Sequence, residues 1–423
     1  MTPTLILFGL LFVFLLLSIP VGFALLLASL GTIVLANLEI PFSILTQVMI
    51  TANDSFPLMA IPFFILAGVL MGRGGVSERL LNIANSFVGH YRGGFAIAAV
   101  LTAMFFSAIS GSGPATVAAI GSIMIPEMVK RGYNKVFATS LIAAAGTIGI
   151  VIPPSIPLVI YGVSSGTSIG NLFKAGIIPG ILMGGALMAW AYIHATRENY
   201  KPDPKATWKE RFHHINRGKG AILMPVVILG GIYGGIFTPT EAAVIAVVYG
   251  LILSFFIYKE LTWKDTISLF YDSAVTTGSI MVIVAAAAVF GRILTLEQIP
   301  NNVAAAMLSL SDNPIIFLLL VNILLIIVGT FMETIAAVII LTPILLPLSA
   351  QMGIDPVHFG IIMIVNLSLG FITPPLGLNL FVASSISDIK IVQLSKGIVP
   401  GFLALVIVLF IITYISWLSL VLI

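Results

Sequence analysis

Long apolar runs dominate this sequence and limit what it can fold into. A helix that crosses a bilayer needs about 20 mostly apolar residues, and runs of this kind recur from Leu5–Leu35 near the start to Val399–Trp417 at the end. Hydrophobic residues make up 59% of the chain and charged residues 8%, which leaves too little polar surface to solvate a globular protein. The sequence therefore predicts an all-α polytopic membrane protein with no sizeable soluble domain.

Several protein classes are disfavoured by what the sequence lacks. It contains no cysteine, so disulfides, thiolate catalysis and cysteine metal sites are excluded. It also lacks H-E-x-x-H, G-x-S-x-G and Walker-type phosphate-binding motifs, which argues against a membrane hydrolase or an ATP-driven pump. The formal net charge of +3 gives no reason to expect a nucleic-acid partner. We therefore expect a protein that is not an enzyme and needs no cofactor.

The charged residues indicate which loops face the cytoplasm. The longest polar stretch, Arg197–Lys219, holds seven Lys or Arg residues and three Asp or Glu residues, so the positive-inside rule places it in the cytoplasm. The loops around Ser164–Gly170 and Thr238–Thr240 carry no Lys or Arg, and we expect them outside. On this basis Leu5–Leu35 is one span and Val76–Val88 is an amphipathic helix on the cytoplasmic surface. The alternative is that these charges only solvate helix ends and carry no topological information.

Two interruptions in the apolar runs indicate non-helical backbone at membrane depth. The run Phe95–Val129 is broken by Ser110–Pro114, and unpaired backbone is tolerated in a membrane only where it is buried in protein or lines a cavity. We therefore predict a re-entrant hairpin that enters and leaves on the cytoplasmic side. The run Val136–Val163 is interrupted at Gly149–Pro157, where a double proline removes two backbone donors and ends the helix. This segment is predicted to be a broken helix.

An internal repeat extends the same pattern to the second half of the chain. A shift of 221 residues, the difference between positions 374 and 153, places Pro153-Pro154 on Pro374-Pro375 without a gap. The same shift places Gly176–Gly180 on Gly397–Gly401, and both segments read Gly-Ile-x-Pro-Gly. It also places the first hairpin tip near Gly329–Glu333. An odd number of spans separates the copies, so we expect inverted-topology repeats, each with one re-entrant hairpin and one broken helix. The alternative is an old duplication in a membrane protein that does not transport.

The repeat and the charge pattern together divide the chain into four parts. The expected bounds are 1–195 for the first repeat (hairpin about 94–130, broken helix about 136–163), 196–220 for a cytoplasmic basic loop, 221–238 for a linking helix, and 239–423 for the second repeat (hairpin about 314–350, broken helix about 357–386).

The breaks predict sites for a dehydrated cation. A broken helix exposes backbone carbonyls at its C-terminal end, and these oxygens can coordinate sodium together with hydroxyl groups. Glycine at a break lets the backbone approach the ion closely. We predict one sodium site in each repeat, formed by Ser107, Ser110, Gly149, Ile152 and Pro154 in the first and by Gly329, Gly370, Thr373 and Leu376 in the second. The alternative is that small residues here only permit close helix packing.

The half-helices that follow the two tips predict an anion site. Their N-termini carry partial positive charge and free amide donors. Ser112, Thr116 and Thr334 stand where hydroxyl donors can reach a carboxylate. We therefore expect these three residues to contact the substrate.

Three ionisable residues within apolar segments require an explanation, because charge at membrane depth is costly. Glu241 follows Thr238 at the start of a helix, where we expect it to act as a cap, with a role in gating or coupling as the alternative. Arg292 either extends its charge to the membrane surface or attracts an anion. Glu333 either caps its half-helix or acts in gating or in tuning an ion site.

Four motifs give the chain a resemblance to a known family. The run Gly234–Ala243, the tip Ser110–Thr116, the stretch Ile150–Ser155 and the later Gly329–Glu333 resemble the large membrane (DctM-type) subunit of tripartite ATP-independent periplasmic transporters, and the likeness covers essentially the whole chain. The resemblance implies a multi-pass protein of the bacterial inner membrane that works by an elevator mechanism and couples transport to sodium. It also implies a small four-helix membrane subunit, a periplasmic substrate-binding protein, and a small organic anion such as a C4-dicarboxylate or sialic acid. Because no small subunit precedes Met1, we expect that partner to be a separate chain.

Other functions remain open from the sequence. A self-sufficient sodium-dicarboxylate symporter of related fold would need neither accessory protein. A membrane-embedded enzyme is a second alternative, although no catalytic constellation is visible. A channel is a third, although two occluding hairpins suit alternating access better than an open pore.

Overall fold

The computed structural model describes residues 3–299, 313–374 and 377–423, and every regular element in these ranges is a helix. In chain order the helices are Pro3–Leu16, Val21–Leu35, Phe42–Asn53, Phe56–Met59 (a 3₁₀ turn), Ala60–Arg73, Val76–Val88, Gly94–Ser110, Gly113–Lys130, Lys135–Ala145, Gly146–Ile150 (a 3₁₀ turn), Ile156–Ser165, Ile169–Arg197, Trp208–Tyr233, Pro239–Ile252, Leu253–Ile257 (a π turn), Trp263–Leu296, Pro314–Phe331, Thr334–Gln351, Pro356–Gly370, Leu378–Ser387, Ile391–Gly397, Val399–Tyr414 and Trp417–Leu420.

The prediction of an all-α polytopic membrane protein is confirmed. Within the described ranges, seven helices are long and apolar enough to cross a bilayer, and a pair bent by 53° makes an eighth if it is one span. The helices Gly94–Ser110, Ile156–Ser165 and Leu378–Ser387 are apolar but shorter, as expected for a re-entrant arm and for half-helices. Both arms of the second hairpin, Pro314–Phe331 and Thr334–Gln351, have 18 residues, so their assignment as a hairpin follows from their equivalence to the first one.

The two predicted hairpins and the two broken helices recur at matching positions. The first hairpin pairs Gly94–Ser110 with Gly113–Lys130, and the first broken helix runs from Lys135 to Ser165 with a break after Ile150. After a shift of 221 residues, the helix Gly113–Lys130 coincides at both of its ends with the helix Thr334–Gln351. The same shift places Lys135 on Pro356, where the second broken helix begins. The helix bounds therefore follow the register read from the sequence.

Equivalent residues of the two repeats lie at opposite ends of the molecule. The backbone N–H of Asn134, beside the start of the first broken helix, donates to the hydroxyl of Tyr200 in the basic loop at 3.0 Å. The start of the second broken helix is held differently, since the carbonyl of Pro356 accepts from the hydroxyl of Tyr161 at 2.7 Å. Tyr161 lies one turn before the loop Ser164–Gly170, which lacks basic residues. The two copies therefore run in opposite directions, as inverted repeats do.

The broken helices form the centre of the molecule. Every residue from Phe137 to Val151 and from Val357 to Ile372 is buried. A helix that is apolar on all sides belongs in an interior, and protein on all sides also shields the non-helical backbone at the breaks from lipid. The breaks therefore lie where unpaired carbonyls are tolerated.

The prediction that Leu5–Leu35 forms one span is wrong. This run is two helices, Pro3–Leu16 and Val21–Leu35, and they pack together so closely that a Cβ on Gly31 would lie 2.6 Å from the Leu10 side chain. Ser18 has a left-handed φ of 60°, and the N–H of Ile19 bonds back to the carbonyl of Phe14 at 3.1 Å. This hydrogen bond is typical of a Schellman motif at a helix C-terminus. Here Ser18 takes the left-handed position that glycine usually occupies.

The boundary between the basic loop and the linking helix also differs from its predicted place at 220/221. The helix Trp208–Tyr233 begins earlier, because Thr207 and Glu210 form a capping box. The N–H of Thr207 donates to the Glu210 carboxylate at 2.7 Å, and the N–H of Glu210 donates to the Thr207 hydroxyl at 3.3 Å. Such reciprocal bonds satisfy two orphan donors of a helix start, so much of the basic stretch is helical.

Asp203 fixes the rest of the basic loop to two other elements. Its carboxylate accepts from Arg131 Nη1 at 2.6 Å and from Asn85 Nδ2 at 3.0 Å. Arg131 ends the first hairpin, and Asn85 belongs to the amphipathic helix Val76–Val88. The base of the first hairpin, the amphipathic helix and the basic loop therefore lie together, as expected if all three share one side of the membrane.

Candidate transport site

Both hairpin tips and the residues that border both helix breaks line one cavity of about 530 Å³. We define the first tip as Ser110–Ser112, the second tip as Met332–Glu333, the first break as residues 151–155, and the second break by its described residues 372–374 and 377. One wall of the cavity comes from the tips and from residues that flank the breaks, among them Ile150, Ile156, Phe371 and Leu378. Its volume is typical of a pocket for a small organic molecule.

The opposite wall comes from two helices outside the hairpins and broken helices. The helix Ala60–Arg73 contributes Ile65, Gly68 and Val69, and the helix Trp263–Leu296 contributes residues between Val275 and Ile283. The cavity thus lies between two groups of helices, and movement of one group past the other would carry its contents. A second cavity of about 510 Å³ lies among loops around Ser168 and Thr238 and includes neither tip and neither break.

The first tip holds two serine hydroxyls and a left-handed glycine, and the Thr116 hydroxyl lies behind it. Gly111 has a φ of +60°, which allows the chain to reverse at no steric cost. Ser112 caps the next helix by accepting from the N–H of Ala115 at 3.4 Å. The hydroxyl of Thr116 donates to the Ser112 carbonyl at 2.8 Å and lies 2.9 Å from the Ser110 hydroxyl. The hydroxyl hydrogens of Ser110 and Thr116 find acceptors within this group of residues, which leaves oxygen lone pairs for a cation.

The first tip and the first break are in direct backbone contact. The N–H of Ile156 donates to the Gly111 carbonyl at 3.4 Å, and a Cβ on Gly111 would lie 2.8 Å from the Pro154 carbonyl oxygen. A Cβ on Gly149 would lie 2.7 Å from the Ser112 carbonyl oxygen and 2.8 Å from the Thr116 hydroxyl. Contacts this short exclude a side chain, so glycine at 111 and 149 allows several oxygen atoms to gather.

Two other predicted ligands of the first site have different surroundings. The Ser107 hydroxyl donates to the Ala103 carbonyl of its own helix at 2.6 Å, and the Ser107 carbonyl accepts from the N–H of Gly111 at 3.3 Å. The Ile152 side chain packs into the space beside Gly180, so only its backbone can face the ion. Coordination by these two residues stays a prediction.

At the second site, Gly329 and Gly370 bring the second hairpin against the second broken helix. A Cβ on Gly329 would lie 3.3 Å from the Gly370 Cα, and a Cβ on Gly370 would overlap the Gly329 carbonyl oxygen. Thr373 follows, with its hydroxyl donating to the Leu369 carbonyl at 2.7 Å. Leu376, also predicted as a ligand, lies outside the described residues. Gly329 and Thr373 therefore both contact the backbone at the C-terminal end of the helix Pro356–Gly370, where Gly370 itself lies.

The predicted substrate residues do not all reach the cavity. Ser112 lines it, whereas Thr116 and Thr334 are buried and are absent from its wall. Thr116 lies behind the first tip, where its hydroxyl bonds to Ser110 and Ser112. Contact of Thr116 and Thr334 with substrate is therefore indirect in this conformation.

The three ionisable residues Glu333, Glu241 and Arg292 lie in different parts of the structure. Glu333 lines the cavity and caps the half-helix after the second tip, accepting from the N–H groups of Ile335 at 3.1 Å and Ala336 at 3.4 Å. Glu241 forms a capping box with Thr238, as its position in the sequence predicted. Arg292 is exposed on the helix Trp263–Leu296, and its role stays a prediction.

Sequence reasoning missed Thr276, Ser279 and Asn379. Thr276 and Ser279 line the cavity from the helix Trp263–Leu296, and their spacing of three places them on one helix face. Two hydroxyl residues at this spacing in an apolar helix were the available signal. Asn379 is completely buried next to the second break, and no local pattern marks its partner, which is distant in the sequence.

Comparison with known proteins gives consistent results over nearly the whole chain. Residues 8–418 match the profile of the tripartite ATP-independent periplasmic transporter, DctM component. An isethionate TRAP transporter permease protein, DctMQ, of Oleidesulfovibrio alaskensis is 51% identical over 98% of this chain, which spans 65% of that protein's length. The C4-dicarboxylate large permease DctM of Pseudomonas aeruginosa is 45% identical over 88% of this chain and 87% of its own.

Two further relatives extend the comparison. The sialic acid large permease SiaM of Vibrio cholerae is 41% identical over 93% of this chain and 92% of its own. A crystal structure of the Alcanivorax borkumensis YdaH transporter aligns with a TM-score of 0.64 and 15% identity, covering 89% of this chain and 88% of that one. At this identity the YdaH likeness shows the fold alone.

Proposed function

Because the chain belongs to the DctM family of tripartite ATP-independent periplasmic transporters, we propose that it is the translocating subunit for sodium-coupled uptake of a small organic anion across the bacterial inner membrane. The observation that carries this proposal is that both tips and the residues bordering both breaks line one cavity. Ser110 of the first candidate ion site lines this cavity, as does Phe371, which follows Gly370 of the second site, so ion binding can shape the substrate site. That is the arrangement expected of a symporter built from inverted repeats.

Sodium is supported as the coupling ion by the chemistry of the breaks. The groups gathered at the first tip and break are neutral hydroxyl and carbonyl oxygens around Ser110, Ser112 and Gly149. A hard cation binds oxygen ligands, and carbonyls at helix C-terminal ends carry partial negative charge. The pairing of Gly329 with Gly370 offers similar backbone oxygens in the second repeat.

The substrate is proposed to be a small carboxylate or sulfonate. The helix that begins after Ser112 directs its N-terminus toward the cavity wall, where backbone donors and partial positive charge favour an anion. The relatives are named for isethionate, C4-dicarboxylates and sialic acid. A cavity of about 530 Å³ admits molecules of these sizes.

Translocation is proposed to follow an elevator mechanism. The hairpins and broken helices would move together, and the helices Ala60–Arg73 and Trp263–Leu296 would belong to the stationary part. This division is supported by the position of the cavity between the two groups of helices. We also propose two partners by analogy with the family, a small four-helix membrane subunit and a periplasmic substrate-binding protein.

Reconstitution tests this proposal. The chain is placed in proteoliposomes with and without a candidate small subunit, and labelled isethionate, a C4-dicarboxylate and sialic acid are supplied with their cognate binding proteins. We expect uptake of one of the anions only when the binding protein and sodium are both present. Uptake without a binding protein would favour a self-sufficient symporter, and conversion of the substrate in detergent would favour an enzyme.

A further inference from the structure

Asn379 joins the second break to the first. Its backbone N–H donates to the Phe371 carbonyl at 3.0 Å, which ties the start of the helix Leu378–Ser387 to the residue just before the second break. Its side-chain Nδ2 donates to the Ala143 carbonyl at 3.0 Å, across a sequence distance of 236 residues. Ala143 lies in the last turn of Lys135–Ala145, just before the 3₁₀ turn that leads into the first break. One residue thus bonds to backbone carbonyls next to both breaks.

The contact extends to the residue that starts this 3₁₀ turn. A Cβ on Gly146 would lie 2.8 Å from Asn379 Nδ2 and 3.1 Å from the Gly113 carbonyl oxygen at the first hairpin. Gly113 in turn faces the ring of Phe371, at 2.8 Å from a Cβ built there. Asn379 therefore belongs to a tight set of contacts that connects the first hairpin and both breaks.

The amide of Asn379 is not explained by stability. Asn379 is completely buried, and its Oδ1 has no hydrogen-bond partner among the residues that the structure describes. A buried acceptor without a partner carries a desolvation cost, which offsets what the Nδ2 bond to Ala143 contributes to stability. The equivalent position of the first repeat, 221 residues earlier, is Leu158, an apolar residue of similar shape. An amide in only one copy suggests a role that the other copy does not need.

A second bond between the broken helices provides a comparison. Within the described residues, the other side chain that hydrogen-bonds from one broken helix to the other is Tyr161, which donates to Pro356 at 2.7 Å. Tyr161 fills the space beside Gly360, far along the helix from Gly370. The Tyr161 bond therefore holds the broken helices together at a distance from the breaks, whereas the Asn379 bond lies between the two breaks.

We propose that Asn379 is a positioning residue that couples the two sodium sites. Sodium at the second break fixes the backbone around Phe371, the N–H of Asn379 transmits that position, and Nδ2 holds the Ala143 carbonyl where the first break begins. Occupation of one site thereby favours the other, because both depend on one arrangement of this residue. This inference rests on the proposed sodium coupling and goes beyond it by naming the link.

Sodium titrations of purified protein in proteoliposomes test the link. Uptake is measured against sodium concentration, with choline replacing sodium to keep ionic strength constant, for the wild type, Asn379→Leu and Tyr161→Phe. We expect a sigmoidal response for the wild type. For Asn379→Leu we expect a Hill coefficient near one and a half-saturating sodium concentration raised by about five-fold or more, with a nearly unchanged maximal rate at saturating sodium.

Tyr161→Phe is the matched control, because it also removes one bond between the broken helices. We expect it to lower the thermal midpoint while leaving the Hill coefficient as in the wild type. If Asn379→Leu does not fold, Asn379→Ala removes the same amide without adding atoms and serves the same titration. A wild-type titration shape in a folded Asn379 variant would overturn this inference alone. A wild type that ignores sodium would overturn the proposed function and this inference together.

Discussion

Gly370 lies against Gly329 so closely that a Cβ at position 370 would overlap the Gly329 carbonyl oxygen. At this point the second hairpin and the second broken helix are in direct backbone contact. In the first repeat the equivalent Gly149 also lies against a hairpin, although its Cβ would lie 2.7 Å from the carbonyl oxygen of Ser112 and not against Ala108, the equivalent of Gly329. Close backbone contact at both places is what allows carbonyl oxygens from two elements to face one ion.

Alanine at position 149 or 370 is therefore expected to weaken sodium activation. The added methyl group must push the tip from the break, at a cost of about 1 to 3 kcal/mol for overpacking, and this moves the carbonyl ligands. Sodium titrations of uptake with Gly149→Ala and Gly370→Ala measure the effect. Gly185→Ala is the control, because a Cβ there meets nothing within 4 Å. Wild-type sodium activation in both variants would contradict the paired sites.

Thr373 and Ser112 are expected to divide the ion and substrate roles. The Thr373 hydroxyl bonds to the Leu369 carbonyl at the end of a helix, so Thr373→Ala should disturb ion ligands. We expect about a five-fold to hundred-fold higher half-saturating sodium concentration, the equivalent of 1 to 3 kcal/mol, with recovery in Thr373→Ser. Ser112 lines the cavity, so a bulky residue there should chiefly raise the half-saturating substrate concentration. The opposite pattern would show that the roles are reversed.

The register of the repeats and the two kinds of break could be predicted from the sequence because glycine and proline are local signals. The shift from Pro153 to Pro374 located both hairpins, since helix ends depend on the residues at those ends. The amino-terminal turn at Ser18 was missed because a serine took the left-handed position usually marked by glycine. Asn379 was missed for another reason: its partner Ala143 is distant in the sequence, and only packing brings the two together.

Glu333 is expected to act mainly as a helix cap. Its carboxylate accepts from two backbone N–H groups after the second tip, and glutamine keeps an acceptor oxygen while alanine does not. Glu333→Ala should lower the free energy of unfolding by about 1 kcal/mol, the usual cost of a lost cap, whereas Glu333→Gln should stay close to the wild type in stability and uptake. Loss of uptake in a stable Glu333→Gln protein would instead assign a role to the charge.

The topology is tested by cysteine labelling, which has no background because the chain contains no cysteine. A cysteine at Lys205 in the basic loop should react with an impermeant maleimide only after the cytoplasmic face is opened. Ser164→Cys, in an exposed position of a loop predicted outside, is the opposite control and should react in intact cells. Reversal of the two patterns would invert the assigned orientation.

Concentrative uptake under an imposed sodium gradient tests the central claim most directly. Proteoliposomes that contain the chain and its required partners are diluted into sodium or choline buffer, and the internal concentration of the labelled anion is followed. The account predicts accumulation above the external concentration with an inward sodium gradient, and its loss when a sodium ionophore collapses that gradient. Equal accumulation in choline and in sodium would contradict it.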